Sequence, residues 1–202
     1  MPKVTLTYFD FAGSRGEECR LALHLADVPF EDERITFDAW PARKATTPFG
    51  ALPVLTVEGH PPIAQTNAIL RLVGHRHGLH PKDDWEAAKH EALMGAVEDL
   101  RARLGPLMRL KDEAEKKRAR EEMASTFLRE WGTNIEKQIG DGPFVAGSII
   151  NVADLKLFVA LSPFMKGTID YIPADTFKSY PKLMKLFHAV KDHPKVVAWY
   201  AK

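Results

Sequence analysis

The sequence predicts a small α/β domain of order β-α-β then β-β-α, followed by an all-helical domain. Three observations predict it. Before about residue 80, apolar residues alternate with period two in some stretches and return at helical spacing in others. A polar, proline-containing joint, His80–Asp84, then interrupts the pattern. Beyond it the apolar residues fall only in long helical stripes. The boundaries expected are 1–79 for the α/β domain, 80–87 for the linker and 88–202 for the helical domain.

The elements follow in order. Lys3–Phe11 alternates Val4, Leu6 and Tyr8 with Lys3, Thr5 and Thr7, the pattern of a strand. After the Gly13–Gly16 loop, Cys19, Ala22, Leu23 and Ala26 make the stripe of a helix with Glu17 and Glu18 in its first turn, closed by Val28-Pro29. Glu31–Ile35 reads as a second strand. Pro53–Val57 is a third, turning at Glu58-Gly59 into Pro62-Ile63-Ala64. From Thr66 the helical period returns, with Gly78 beyond its end. In the second domain, Leu93 to Leu107 forms one stripe. Met123, Phe127, Trp131, Ile135 and Ile139 form another, read as one long helix. Asn151 with Asp154 three residues on predicts a capping box before an apolar helix, and Pro181 opens a last helix to Val190.

Composition excludes several classes. The 202 residues carry 28 Lys plus Arg against 27 Asp plus Glu, so bulk charge offers no reason to bind nucleic acid or an anionic membrane. The single cysteine rules out an intrachain disulfide framework and Cys-rich zinc sites, and fits a reducing compartment. No apolar run approaches ~18 residues and the N-terminus lacks a secretory pattern. The expectation is a soluble cytoplasmic protein.

Chemistry-bearing candidates cluster in the first domain. Tyr8, at a strand end before a Gly-containing loop, either stabilises an anion with its hydroxyl or simply packs its ring. Leu52-Pro53 starts a strand after a Gly-containing turn; a cis bond there turns the Leu52 backbone towards a peptide-like ligand, whereas most X–Pro bonds are trans. Gln65-Thr66 opens a helix, giving either a carboxylate site or a plain N-cap. Gly13-Ser14-Arg15-Gly16 lacks the spacing of a nucleotide loop. His75, His77 and His80 straddle a helix end and read as a solvated terminus. Lys116–Arg120 reads as a charged helix face with pairs such as Glu113–Lys117, and Cys19 as a buried, inert thiol.

Taken together, Tyr8-Phe9-Asp10, Trp40 and Lys44, Pro48–Leu55, Gln65–Ile69, Gly147-Ser148 with Asn151–Asp154, and Tyr180–Leu183 resemble the cytosolic glutathione transferases of the tyrosine-using, sigma-like group. The resemblance covers nearly the whole chain. It implies a thioredoxin-like first domain and a cis Leu52–Pro53 bond. It also implies conjugation of glutathione, as co-substrate and without a metal, to small hydrophobic electrophiles, or a related peroxide reduction or isomerisation. By the same resemblance Tyr8 donates its hydroxyl proton to the glutathione sulfur and Leu52 pairs with the cysteinyl part. Gln65 and Thr66 hold the γ-glutamyl end, and Trp40 and Lys44 the glycyl carboxylate. Asp99 reaches the glutathione of the neighbouring subunit, which implies a homodimer. Layout alone offers Phe11, Leu104 and Met108 as the electrophile pocket. The loop after Tyr8 is one residue longer than in sigma-like relatives and contains Ser14, the alternative thiol activator; the phenol is the more acidic donor. A non-catalytic ligand-binding or docking protein of the same fold is the competing reading.

Overall fold

Four strands, β1 (Val4–Phe9), β2 (Glu31–Ile35), β3 (Val54–Val57) and β4 (Ile63–Ala64), form one mixed sheet of order β2-β1-β3-β4. The computed structural model describes residues 2–201. The helices of this part are α1 (Ser14–Leu25), α2 (Trp40–Lys44) and α3 (Thr66–His77). β1 and β2 are parallel, while β1–β3 and β3–β4 are antiparallel. This is the thioredoxin-like β-α-β, β-β-α order. Leu6, Leu55, Leu21, Ile69 and Leu70 are fully or nearly fully buried, so the sheet and α1 with α3 share one core. α1 is buried on nearly every side, and Glu17, Glu18 and Arg20 are buried with it. The two glutamates are therefore core residues and not merely solvated partners of the helix dipole. Gly78 ends α3 in the left-handed conformation a helix C-terminus favours. Cys19 is reduced and fully buried.

The remaining helices are α4 (Asp84–Leu107), α5 (Glu113–Ser125), α6 (Phe127–Gln138), α7 (Val152–Met165), α8 (Pro181–Lys191) and α9 (Pro194–Tyr200). Two compact units emerge: Met1–Lys82 with His193–Lys202, and Asp83–Asp192. Residues 193–201, read from the sequence as part of the helical domain, thus pack with the first unit. The reason is chemical. On α9, Trp199 Nε1 donates to Glu17 of α1 (2.7 Å), and Lys195 Nζ donates to the Leu25 carbonyl (2.9 Å) and pairs with Asp27.

Inside the helical unit, the stripe from Met123 to Ile139 does not make one helix. The chain breaks at Thr126 (φ −115°, ψ −87°), whose hydroxyl donates to the Glu122 carbonyl at 2.7 Å. On α5 the expected Glu113–Lys117 pair gives way to Lys116–Glu113 (2.6 Å) and Lys117–Glu121 (4.0 Å). α7 is buried nearly all round, as its apolar sequence requires, and it carries the capping box of Asn151 and Asp154. Asp154 is completely enclosed and accepts from the Val145 and Asn151 amides, both at 2.7 Å. Burial pushes its carboxyl up to about 7 against the pull of these donors. Lys156, also completely buried, reaches Glu98 of α4 at 2.6 Å.

Candidate functional site

Strand register gathers the candidates at one edge of the sheet. Thr7 stands opposite Val54, and Val54 opposite Ala64. Tyr8, Pro53 and Gln65 each adjoin one of these paired residues in the chain and so lie at the same end of the sheet. β2 runs parallel to β1 and ends at the same edge, Phe9 standing opposite Ile35, before the chain enters α2 with Trp40 and Lys44. Tyr8, Leu52, Pro53, Gln65, Thr66, Trp40 and Lys44 therefore come from four strand ends that meet on one side.

The Tyr8 ring is buried. It lies directly on Gly16 in the first turn of α1, where any Cβ would overlap the ring, so only glycine permits this seat. Phe9 and Phe11 flank it, each with its ring centroid at 5.6 Å. The hydroxyl has no hydrogen-bond partner among the described residues. The two readings of Tyr8 are thus compatible: the ring is core, and the oxygen is unengaged. Ser14, the alternative activator, is the first residue of α1 and adopts a left-handed φ of 55°.

The Leu52–Pro53 bond is cis, the arrangement the resemblance implies and the residue pattern left open. Among the described residues the Leu52 N–H and C=O take part in no hydrogen bond. They form a short stretch of unpaired strand edge, which an extended peptide can join by main-chain hydrogen bonds.

Gln65 precedes α3 with a left-handed φ of 72°, an uncommon conformation for a residue other than glycine. No side chain caps the helix. The amides of Thr66, Asn67 and Ala68 have no partner among the described residues. The Thr66 hydroxyl and the Asn67 Oδ1 are buried and also without partners. Of the pair that opens the helix, Gln65 occupies the cap position and Thr66 is its buried first residue. A helix start with open amides and a spare hydroxyl favours a carboxylate.

Trp40 packs edge-on against Phe9 (5.7 Å), and the exposed Lys44 lays its aliphatic stem over Gly50. Phe11 is half-buried. In the helical unit, Asp99 is exposed on α4, Leu104 is half-buried and Met108 is about half exposed. Among the described residues no three His, Cys, Asp or Glu are grouped to hold a metal ion. His75 and His77 are exposed, as a solvated terminus requires. His80 is not: it is buried, stacks on His75 at 4.7 Å, and sets Nδ1 3.2 Å from the Pro81 carbonyl.

Sequence reasoning missed Gly16 and Arg20. Arg20 is fully buried; its Nη1 and Nη2 donate to the carbonyls of Phe11 (2.9 Å) and Phe9 (3.2 Å), and its Nε to Asp32 (2.9 Å). The available signal was a charged residue beside Cys19 and Leu21 in a helix with few exposed positions.

Comparison with known proteins agrees across the full length. Residues 4–74 match the family model described as glutathione S-transferase, N-terminal domain, and residues 98–202 that described as glutathione S-transferase, C-terminal domain. Glutathione S-transferase 1 of Ascaris suum is 32% identical, covering 100% of this chain and 97% of its own. Hematopoietic prostaglandin D synthase of Gallus gallus is 30% identical with the same coverage. The crystal structure of the glutathione S-transferase from Ascaris lumbricoides superposes with a TM-score of 0.88 at 33% identity, covering 99% of this chain and 97% of that one.

Proposed function

The chain belongs to the glutathione S-transferase family, a family of enzymes, and we propose that it ionises the glutathione thiol with Tyr8 and joins the sulfur to small hydrophobic electrophiles. The observation that supports this reading above the others is the unengaged Tyr8 hydroxyl at the same sheet edge as three sets of unpaired polar groups. These are the Leu52 backbone, the opening amides of α3 and the Thr66 hydroxyl.

Each part of the tripeptide then has a partner of suitable chemistry. The cysteinyl main chain pairs with Leu52 before cis Pro53. The γ-glutamyl carboxylate takes the amides at the start of α3 with the Thr66 hydroxyl and Gln65. The glycyl carboxylate takes Trp40 and Lys44. The Tyr8 O–H donates to the sulfur, which loses its own proton to solvent. The thiolate attacks the electrophilic carbon, an S–C bond forms, and the electron pair leaves with the displaced group or enters the acceptor's π system. A hydrogen bond to a charged group contributes about 1.5–3 kcal/mol. That is enough to lower a thiol titrating near ~8.5 by one to two pH units, raising the thiolate fraction at pH 7 from about 3% to between roughly a quarter and three quarters. Phe11 is the first unit's candidate for receiving the electrophile, and Leu104 and Met108 those of the helical unit. Asp99 serves the neighbouring subunit's glutathione in a cytoplasmic homodimer with a detoxifying role.

The decisive test is Tyr8→Phe, measured by kcat with a generic aryl halide and by retention on immobilised glutathione. Turnover falls roughly 10- to 100-fold while retention persists, the loss expected for one hydrogen bond to a charge. Full activity in Tyr8→Phe with an inactive Ser14→Ala transfers the role to Ser14. Asp99→Asn weakens glutathione binding about 3- to 10-fold by titration calorimetry, the size of one hydrogen bond; unchanged affinity removes Asp99 from the site.

A further inference from the structure

We propose that α9 is a positioning element for Tyr8: through Trp199, Glu17 and Arg20 it sets the strand end and the glycine seat that hold the phenol against the glutathione sulfur. The inference rests on Tyr8 being the thiol activator and concerns what keeps it in place.

The argument begins with Arg20, which is completely buried. A guanidinium cannot shed its charge, so its donors must be met inside the protein. Four of its five N–H groups are. Nε donates to both oxygens of Asp32 (2.9 and 3.1 Å), Nη1 to the Phe11 carbonyl (2.9 Å) and to Glu17 (3.4 Å), and Nη2 to the Phe9 carbonyl (3.2 Å). The two carbonyls flank Asp10, two residues after Tyr8, and the guanidinium carbon lies 5.7 Å from the centroid of the Tyr8 ring. One planar fork thus ties both sides of the turn that leaves β1.

What fixes the fork is Glu17 together with Asp32. Glu17 is itself buried, and its other oxygen accepts from Trp199 Nε1 at 2.7 Å. Tyr200 of the same helix also faces the Glu17 charge; burial first, and then that charge, raises its phenol above its ordinary value. Both aromatic groups belong to α9, which is docked separately through the Lys195 ammonium to Leu25 and Asp27 and through the Lys195 carbonyl to His24 (3.1 Å).

Glu17 follows Gly16 directly in the chain. Moving it shifts two supports of Tyr8 at once: the glycine on which the ring lies and the arginine fork that holds the following turn. Small misplacements of a catalytic group are costly, since reaction requires atoms within a few tenths of an ångström of the productive geometry. Trp199 and Glu17 are accordingly positioning residues and not catalytic ones.

The test uses the full chain with Trp199→Phe, Glu17→Gln and Tyr8→Phe, measured side by side. Trp199→Phe keeps an aromatic ring and removes the N–H; Glu17→Gln keeps an acceptor and removes the charge that faces Arg20. For each protein the titration of bound glutathione is followed by its ultraviolet thiolate absorbance, together with kcat, KM for glutathione and the unfolding temperature. Trp199→Phe and Glu17→Gln are expected to raise the pH at which the bound thiol ionises by about half to one unit and to lower kcat about 3- to 10-fold. KM for glutathione stays within twofold. The shifted titration is the signature that a merely structural role would not produce. If both variants lower the unfolding temperature but leave the thiol titration and kcat as in the native chain, α9 only stabilises the unit and the inference falls while the Tyr8 reading stands. If Tyr8→Phe itself leaves the thiol titration unchanged, the Tyr8 reading fails and carries the inference with it.

Discussion

Two helix starts in this molecule solve the same problem in opposite ways. At α7 the start is closed by the chain's own side chains: Asn151 and Asp154 form a capping box, and the Asp154 carboxyl accepts from the amides of Asn151 and Val145. At α3 the amides of Thr66, Asn67 and Ala68 are open, the Thr66 hydroxyl is buried without a partner, and Gln65 is held in a left-handed conformation. The closed start contributes stability. The open one forgoes it, and an orphaned polar group inside a protein normally costs about 1–3 kcal/mol. Such a cost is tolerated where a ligand supplies the missing partner.

The comparison breaks most visibly at Asp154. Asp154→Ala removes a capping box and strands two buried amides, so the chain loses roughly 2–4 kcal/mol. Its thermal midpoint falls by about 10 °C by calorimetry. Glutathione affinity of the folded protein stays unchanged, because nothing at the sheet edge is altered; a large affinity loss would contradict the division of roles.

A smaller effect follows from the titration of the same group. Burial raises the folded-state value of Asp154 from 3.8 to about 7. Between these values the folded chain keeps a proton that the unfolded chain has released. Stability contributed by this carboxyl therefore falls as pH rises from about 4 through 7 and levels off above. Asp154→Asn, which cannot titrate, flattens that part of the midpoint–pH curve; an identical slope in both proteins would refute the assignment.

The smallest effect sharpens the other side. Thr66→Val removes a hydroxyl that has no partner, so the unfolding midpoint stays within about 2 °C or rises slightly, while glutathione binding weakens roughly 5- to 10-fold. Calorimetric titration of both proteins checks it. A loss of stability without a loss of affinity would make α3 an ordinary capped helix.

Much of this arrangement was legible before any coordinates. The Asn151–Asp154 spacing announced the closed start, the Val4–Tyr8 alternation the first strand, and Gly78 the end of α3. What escaped has physical causes. α2 spans only Trp40–Lys44, too short for a period to appear. The break at Thr126 leaves the four-residue recurrence of apolar positions intact, because a hydroxyl bond to the preceding turn ends α5 without changing the pattern. Arg20 and Lys156 carry no signal in their residue type for a common reason: a charged residue is ordinarily a surface residue, whereas both are buried and paired. At the site, residue types pointed to Tyr8 and Gln65-Thr66. The placing of Tyr8, Pro53 and Gln65 at one end of the sheet depends on register across three strands, and the left-handed Gln65 is not a conformation its residue type announces.

The burial of Cys19 has a practical side. Under the proposed conjugation the protein would handle alkylating agents and risk inactivating itself, and this chain has one cysteine with which to do so. The sheet and its covering helices shut that sulfur away completely. Reagents passing through in quantity thus meet a borrowed, replaceable thiol instead of the protein's own. Slow uptake of a maleimide into the polypeptide would consequently clock its opening, giving a built-in gauge of unfolding during turnover.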